Sequence, residues 1–263
     1  MGILESLLMG LIQGITEFLP VSSSGHLTLS SLILGLEEDQ VMSYTTILHM
    51  GTLLAVFVVM RKELLALLRR PFSKLTGLLI VGTIPAVVAA LLFGDFIEEA
   101  FGGAFLGPSF FITAVVLLVN LFFRAGNRLF PQIGRLDALV TGIAQAVAIL
   151  PGVSRSGSTI TAALSRGIER EAAIRFSFLL SIPAILGGFA LDMASLFRDG
   201  GGWEGTNWGV TGAGVAMAAV SGFLCMRFML KKLTRKGMVV CAIYVACLGT
   251  FLVLDKAIWH LVL

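Results

Sequence analysis

Charge is what this sequence most lacks. Only 13% of its 263 residues are Asp, Glu, Lys or Arg while 57% are hydrophobic, whereas soluble domains carry about 25% charged residues. Water is not the main solvent of such a chain. No Lys or Arg precedes Arg61, so residues 1 to 30 lack the basic start of a secretory signal and are expected to belong to the mature fold. Cysteine is scarce too. Cys225, Cys241 and Cys247 show no CxxC spacing and no neighbouring histidine, which leaves packing as their role. Alternating strand patterns are missing, excluding a membrane β-barrel. The net charge of +3 implies no nucleic-acid partner, because the basic residues sit in short loops and form no face interleaved with aromatics.

What is present is a series of apolar runs at about 41–60, 75–93, 108–123, 176–196, 207–229 and 238–255, each near the ~20 residues that a membrane helix needs. The expected fold class is therefore an all-α polytopic membrane protein with about six spans. A shift of 132 places lays Gly10, Gln13, Ser22, Ser24 and Gly25 on Gly142, Gln145, Ser154, Ser156 and Gly157, and Tyr44 to Ala55 on Phe176 to Gly187. The chain then reads as one membrane domain, 1–263, built from repeats of approximately 1–131 and 132–263. Each half opens with a segment, about 5–36 and 138–165, that Pro, Ser and Gly interrupt near its middle. Such breaks at membrane depth suit re-entrant hairpins that meet at a polar site. Three spans per half would invert the second repeat relative to the first.

Basic residues give an independent prediction of topology. Loops 61–74, 124–137, 166–175 and 230–237 hold 15 of the 19 Lys and Arg, and the positive-inside rule assigns them to the cytoplasm. The opposite loops carry Glu37, Glu38, Asp39, Asp95, Glu98 and Glu99. Both termini are thereby expected outside.

Ionisable groups within such segments mark a site. Glu17 and His26 lie in the first motif, Gln13-Gly-Ile-Thr-Glu-Phe-Leu-Pro-Val-Ser-Ser-Ser-Gly-His26, and Arg155 in the second, Pro151-Gly-Val-Ser-Arg-Ser-Gly-Ser-Thr159. Gln13 and Glu17, four apart, share a helix face and could offer oxygens to Mg2+ or Ca2+, with phosphate and water completing the shell. Ser23 and His26 lie within one turn, where an imidazole can activate a hydroxyl. Arg155 supplies a fork of donors suited to phosphate, among the hydroxyls of Ser154, Ser156, Ser158 and Thr159. His49 begins the next span and reads as a hydrogen-bonded helix-end residue.

These two motifs resemble those of the undecaprenyl-diphosphate phosphatase family of bacterial inner membranes, also called bacitracin-resistance proteins, and the resemblance covers the whole chain. It implies hydrolysis of undecaprenyl diphosphate to the monophosphate and inorganic phosphate, recycling the lipid carrier for peptidoglycan, with a divalent cation as cofactor. Carried over by motif, Glu17 and Gln13 would hold the metal or position water. Ser23 would be the nucleophile assisted by His26, with a histidine or water nucleophile as alternatives. Arg155, Ser154, Ser156, Ser24 and Thr159 would bind phosphate. Position 13 is Gln here, so no role that needs a second ionised carboxylate carries over. The expected partners are the polyprenyl diphosphate and membrane lipids, with a homodimer as a candidate assembly. Ser24-Gly25-His26 and Ser154-Arg155 also resemble elements of phosphatidic-acid-type phosphatases, but the histidine expected six residues after the arginine is Thr161. A lipid transporter is the rival reading, since broken helices in inverted repeats serve transport as well.

Overall fold

A computed structural model describes residues 1–36, 38–101, 105–123, 126–198 and 207–259. Glu37, the loop 199–206 and His260 lie outside the described residues, as do the side chains of Glu38, Asp39, Asp95, Glu98 and Glu99. Eleven α-helices form among the described residues: α1 Ile3–Phe18, α2 Ser23–Leu34, α3 Glu38–Val59, α4 Arg61–Arg69, α5 Lys74–Phe101, α6 Leu106–Val119, α7 Arg135–Val147, α8 Arg155–Ser165, α9 Arg170–Arg198, α10 Trp208–Lys232 and α11 Arg235–Leu254. No strand forms among them beyond one isolated bridge between Arg128 and Ile168. The chain is all-helical, as a bilayer demands of backbone that has no water to bond.

Among the described residues four helices are long and apolar enough to cross a membrane, Lys74–Gly94, Arg170–Ala194, Trp208–Lys232 and Arg235–Ile258. Two of the expected spans appear as shorter apolar helices, Tyr44–Val59 and Leu106–Phe122. The basic stretch 61–74, read from sequence as a loop, contains α4. Its leucines sit among Arg61, Lys62 and Arg69 with none buried, the composition of a helix lying at a membrane surface. A reading for long apolar runs passes over a nine-residue helix of this kind.

The four basic stretches gather at one end of the bundle. Lys74 Nζ donates to Pro131 O at 2.9 Å, Arg175 pairs with Glu63 at 2.6 Å, and Arg235 donates to Leu121 O. Arg128 and Arg166 both bind Asp137, at 2.5 and 3.1 Å. Burial pushes the Asp137 carboxyl up, but the Arg128 fork, the Gly134 N–H and Arg166 outweigh it and hold the group below its ordinary value. Loops far apart in sequence are thus tied together on one side.

Two helical hairpins enter this bundle from opposite ends. The start of α1 meets the start of α10, where Ser6 Oγ donates to Val210 O at 2.5 Å, and α2 returns the chain to the same end. The second hairpin, α7 and α8, begins and ends beside the basic loops. Each rests its first arm on a long helix through paired glycines. A Cβ on Gly10 would strike the Gly214 backbone, and one on Gly142 would strike the Gly82 backbone. Absence of side chains is what lets these backbones approach.

Gly10→Leu and Gly142→Leu are each expected to lower stability by about 1–3 kcal/mol through overpacking. Gly77→Leu, at a site with open space around its Cα, should leave the thermal midpoint in detergent unchanged.

Candidate active site

The hairpin tips touch in the middle of the bundle. A Cβ on Gly25 would lie 2.9 Å from the Gly152 Cα, and Ser156 Oγ donates to Leu19 O at 3.1 Å. Thr113 of α6 pins the second tip, donating to Gly152 O at 2.8 Å and accepting from Ser154 N at 2.9 Å. The polar backbone of a broken helix is thereby bonded within the protein.

Helices α2 and α8 both begin at these tips, each behind a serine cap. Ser22 Oγ accepts from Gly25 N at 3.3 Å and Ser154 Oγ from Gly157 N at 3.1 Å. Ser22 holds φ at +73°, a region that costs a non-glycine residue about 1–3 kcal/mol and tends to persist at functional sites. Ser22 to Ser24 and Ser154 to Ser156 line one cavity of about 750 Å³. Two helix N-termini thus present N–H groups and favourable dipoles to an anion there.

Glu17 is the centre of the polar wall. Its Oε1 pairs with Arg155 across the two tips. Oε2 accepts from Ser23 Oγ at 2.5 Å and from Gln13 Nε2 at 3.2 Å, and faces His49 Nε2 at 3.6 Å. Its side chain is only 2% exposed, so the charge is stable there only because it is paired and hydrogen-bonded.

The structure brings Glu17, Ser23, Ser24, Ser154, Arg155 and Ser156 to the cavity, as sequence predicts. Three other predicted residues sit elsewhere. His26 points away from Ser23. Its Nδ1 bonds Ser22 O at 2.7 Å, its Nε2 bonds the Tyr244 hydroxyl at 2.8 Å, and its ring packs between Phe110 and Tyr244. A carbonyl only accepts, so the proton resides on Nδ1 and Nε2 accepts from Tyr244. Thr159 Oγ1 bonds Arg155 O at 2.8 Å and Ser177 Oγ at 2.6 Å, facing α9. Gln13 is fully buried behind Glu17, off the cavity wall, its Nε2 also reaching Thr52 Oγ1 at 3.4 Å.

His49, which the sequence reads as a hydrogen-bonded helix-end residue, also lines the cavity. Its Nδ1 is fixed on Thr45 O at 2.7 Å, which leaves Nε2 toward Glu17. Asp192 also reaches the cavity, accepting from Thr46 Oγ1 at 2.6 Å. Neither residue belongs to a motif, and only the packing of α3 and α9 puts them here.

The donors around Glu17 are already engaged with one another. Among the described residues no cluster of three His, Cys, Asp or Glu could hold a metal. Glu17 is already neutralised by Arg155, and the unpartnered Gln13 Oε1 is shut away from the cavity. A hard cation takes six or more oxygens and keeps several of them as water, so Glu17 and the hydroxyls of this wall would hold one only together with water and phosphate.

A polar pocket with an apolar flank, enclosed where two helix hairpins meet inside an apolar bundle, defines a multi-pass membrane protein built to take an anionic amphiphile. Residues 6–251 match the family model described as bacitracin resistance protein BacA, and the chain belongs to that family. It is 42% identical over 255 residues to an undecaprenyl-diphosphatase of Carboxydothermus hydrogenoformans, covering 96% of this chain and 97% of that one. It is 45% identical to undecaprenyl-diphosphatase 4 of Bacillus thuringiensis subsp. konkukian, covering 94% of each chain. Similarity extends to an undecaprenyl-diphosphatase of Alcanivorax borkumensis at 41%, covering 94% of this chain and 97% of that one.

Removing Arg155 strands a buried carboxylate, which typically costs about 3–5 kcal/mol. Arg155→Ala is therefore expected to lower the thermal midpoint, and Glu17→Gln added to it should recover part of the loss. Strict additivity of the two changes would mean the pair is not coupled.

Proposed function

We propose that this chain is an integral membrane phosphatase that hydrolyses undecaprenyl diphosphate to undecaprenyl phosphate and inorganic phosphate. The product is the lipid carrier, returned to synthesis of the cell wall, and its regeneration gives resistance to bacitracin. The observation that carries this reading is the Ser23–Glu17–Arg155 arrangement, a hydroxyl on a carboxylate oxygen beside a guanidinium, at one end of a cavity whose lining is otherwise mostly apolar.

The polar end takes the diphosphate. Ala86, Val87, Ala90 and Leu91 of α5, with Ala184, Ile185 and Leu191 of α9, face the isoprenoid chain. Entry of the phosphates draws the Arg155 fork from Glu17 onto phosphate oxygens. That exchange binds the substrate and at the same time frees the carboxylate to accept the Ser23 proton. Ser23 Oγ then attacks the terminal phosphorus, the bond to the bridging oxygen breaks, and the lipid phosphate leaves. Water cleaves the phosphoserine. The helix N-termini and cap hydroxyls at the two tips meet the charge that spreads over the transferred group. His49 is the imidazole placed to exchange a proton with Glu17, whereas spacing gives His26 the part of activating Ser23. The divalent cation fits this wall best as a passenger on the diphosphate, where it would offset phosphate charge.

The same reading places the protein in the bacterial inner membrane, with the basic loops in the cytoplasm and both termini outside. The six apolar helices are its spans, α1–α2 and α7–α8 its re-entrant hairpins, and the halves 1–131 and 132–263 inverted repeats. Supporting the repeat, the two glycine contacts map onto each other under the 132-residue shift, Gly10 on Gly142 and Gly82 on Gly214. The exposed apolar faces of α5 and α6 are what lipid, or a second copy in a homodimer, would cover.

Phosphate release from undecaprenyl diphosphate by the purified protein tests the activity. Ser23→Ala, Glu17→Ala and Arg155→Ala should each slow it at least about 100-fold. Full activity in Ser23→Ala would give the attack to water, and an inactive but folded wild type would point to a transporter. Mn2+ binding followed by spin resonance should be weak in the protein alone and appear when pyrophosphate is added.

A further inference from the structure

Gln145 has no hydrogen-bond partner at either end of its carboxamide. It is 2% exposed, Oε1 and Nε2 both lack a partner, and the residue stands on the cavity wall with Ser154, Arg155 and Ser156. A buried amide in this state is costly, and native structures contain few of them. Where it borders a cavity for an anion, the missing partner is the occupant.

The sequence explains why nothing in the protein satisfies it. Shifted by 132 places, Gln145 corresponds to Gln13, which donates to Glu17 and Thr52. The residues in those two places relative to Gln145 are Ile149 and Ala184, neither of which carries a polar side-chain atom, and both line the same cavity. The partners are absent on the side where the ligand enters. Helix α7 packs on α5 through the close Gly142–Gly82 contact one turn earlier, which fixes the backbone from which the amide projects.

We propose that Gln145 is a substrate ligand whose Nε2 donates to a phosphate oxygen of the lipid diphosphate. The phosphate cradle then extends from the start of α8 onto the flank of α7. This assignment rests on the phosphatase reading for its substrate, but the carboxamide would serve any diphosphate group that enters the cavity.

The test compares the full-length wild type with Gln145→Met and Gln145→Glu in detergent, following KM and kcat for undecaprenyl diphosphate and the thermal midpoint with and without inorganic pyrophosphate. Met keeps the length and removes the unsatisfied atoms. The ligand-free Met variant should be as stable as wild type or more so, with KM raised about tenfold or more and most of the pyrophosphate-induced rise in midpoint lost. Glu replaces the donor by a negative charge and should lose more of both. Should the Met variant not fold, the Glu variant carries the same readouts. Unchanged KM with a full pyrophosphate shift in a folded variant would overturn the proposal, leaving Gln145 satisfied by water alone. A wild type that releases no phosphate, yet is protected by pyrophosphate in a Gln145-dependent way, would refute the phosphatase reading and keep the ligand.

Discussion

The ion pair between Glu17 and Arg155 is the constraint on which this site depends. One charge sits on the last turn of α1 and the other on the first residue of α8, and the carboxylate is almost wholly buried. Alone in a medium of low dielectric, either would cost several kcal/mol or more. Together they require that two hairpins entering from opposite ends of the bundle meet tip to tip. The glycines at Gly25 and Gly152 permit the approach, Leu19 O accepts from Ser156 across the tips, and Thr113 holds the second tip by donating to Gly152 O and accepting from Ser154 N. Position therefore follows from electrostatics, while packing supplies the room.

The same pair explains why a site this polar is tolerated before any ligand arrives. Arg155 serves as a counter-ion for Glu17, and a phosphate is the natural competitor for it. A neutral lipid has nothing to offer the guanidinium in exchange and would leave the carboxylate unpaired. Under the proposed function, preference for an anionic headgroup follows from this resting state. In the proposed mechanism the same pair prepares the attack, since the Ser23 hydroxyl already bonds the oxygen that would take its proton.

Much of this was legible in the sequence because charge is so rare in the chain. Glu17 and Arg155 stand out as ionisable groups within interrupted apolar segments, and the 132-residue shift pairs the segments that carry them. Side-chain direction was not legible. Spacing put His26 one turn from Ser23, but the carbonyl of Ser22 captures its Nδ1 and Tyr244, far along the chain, captures its Nε2. Thr159 is four residues from Arg155, yet its short hydroxyl bonds its own helix and Ser177, where the long guanidinium crosses the tip. His49 and Gln145 escaped for a different reason. Each looks ordinary in its own helix, and only tertiary packing turns it toward the cavity. Helix α4 carries only a five-residue apolar stretch, Leu64 to Leu68, between charged ends, too short to read as a span.

The duplicated pattern also shows how a symmetric scaffold acquires asymmetric chemistry. Ser23 and Arg155 are 132 residues apart, so they occupy the same place in the two halves, the first residue of a serine-capped helix at a hairpin tip. One copy carries a hydroxyl that bonds the carboxylate, and the other carries the guanidinium that pairs with it. Glu17 in the first half corresponds to Ile149 in the second. A second carboxylate at that place would have left two buried anions facing one arginine, with like-charge repulsion at short range and no room for a phosphate. Isoleucine removes that conflict and leaves its neighbour one turn back, Gln145, without a partner. The cap serines and the glycine contacts, which build the cradle, are the same in both halves. The residues that differ are the ones to which the proposed mechanism gives different parts.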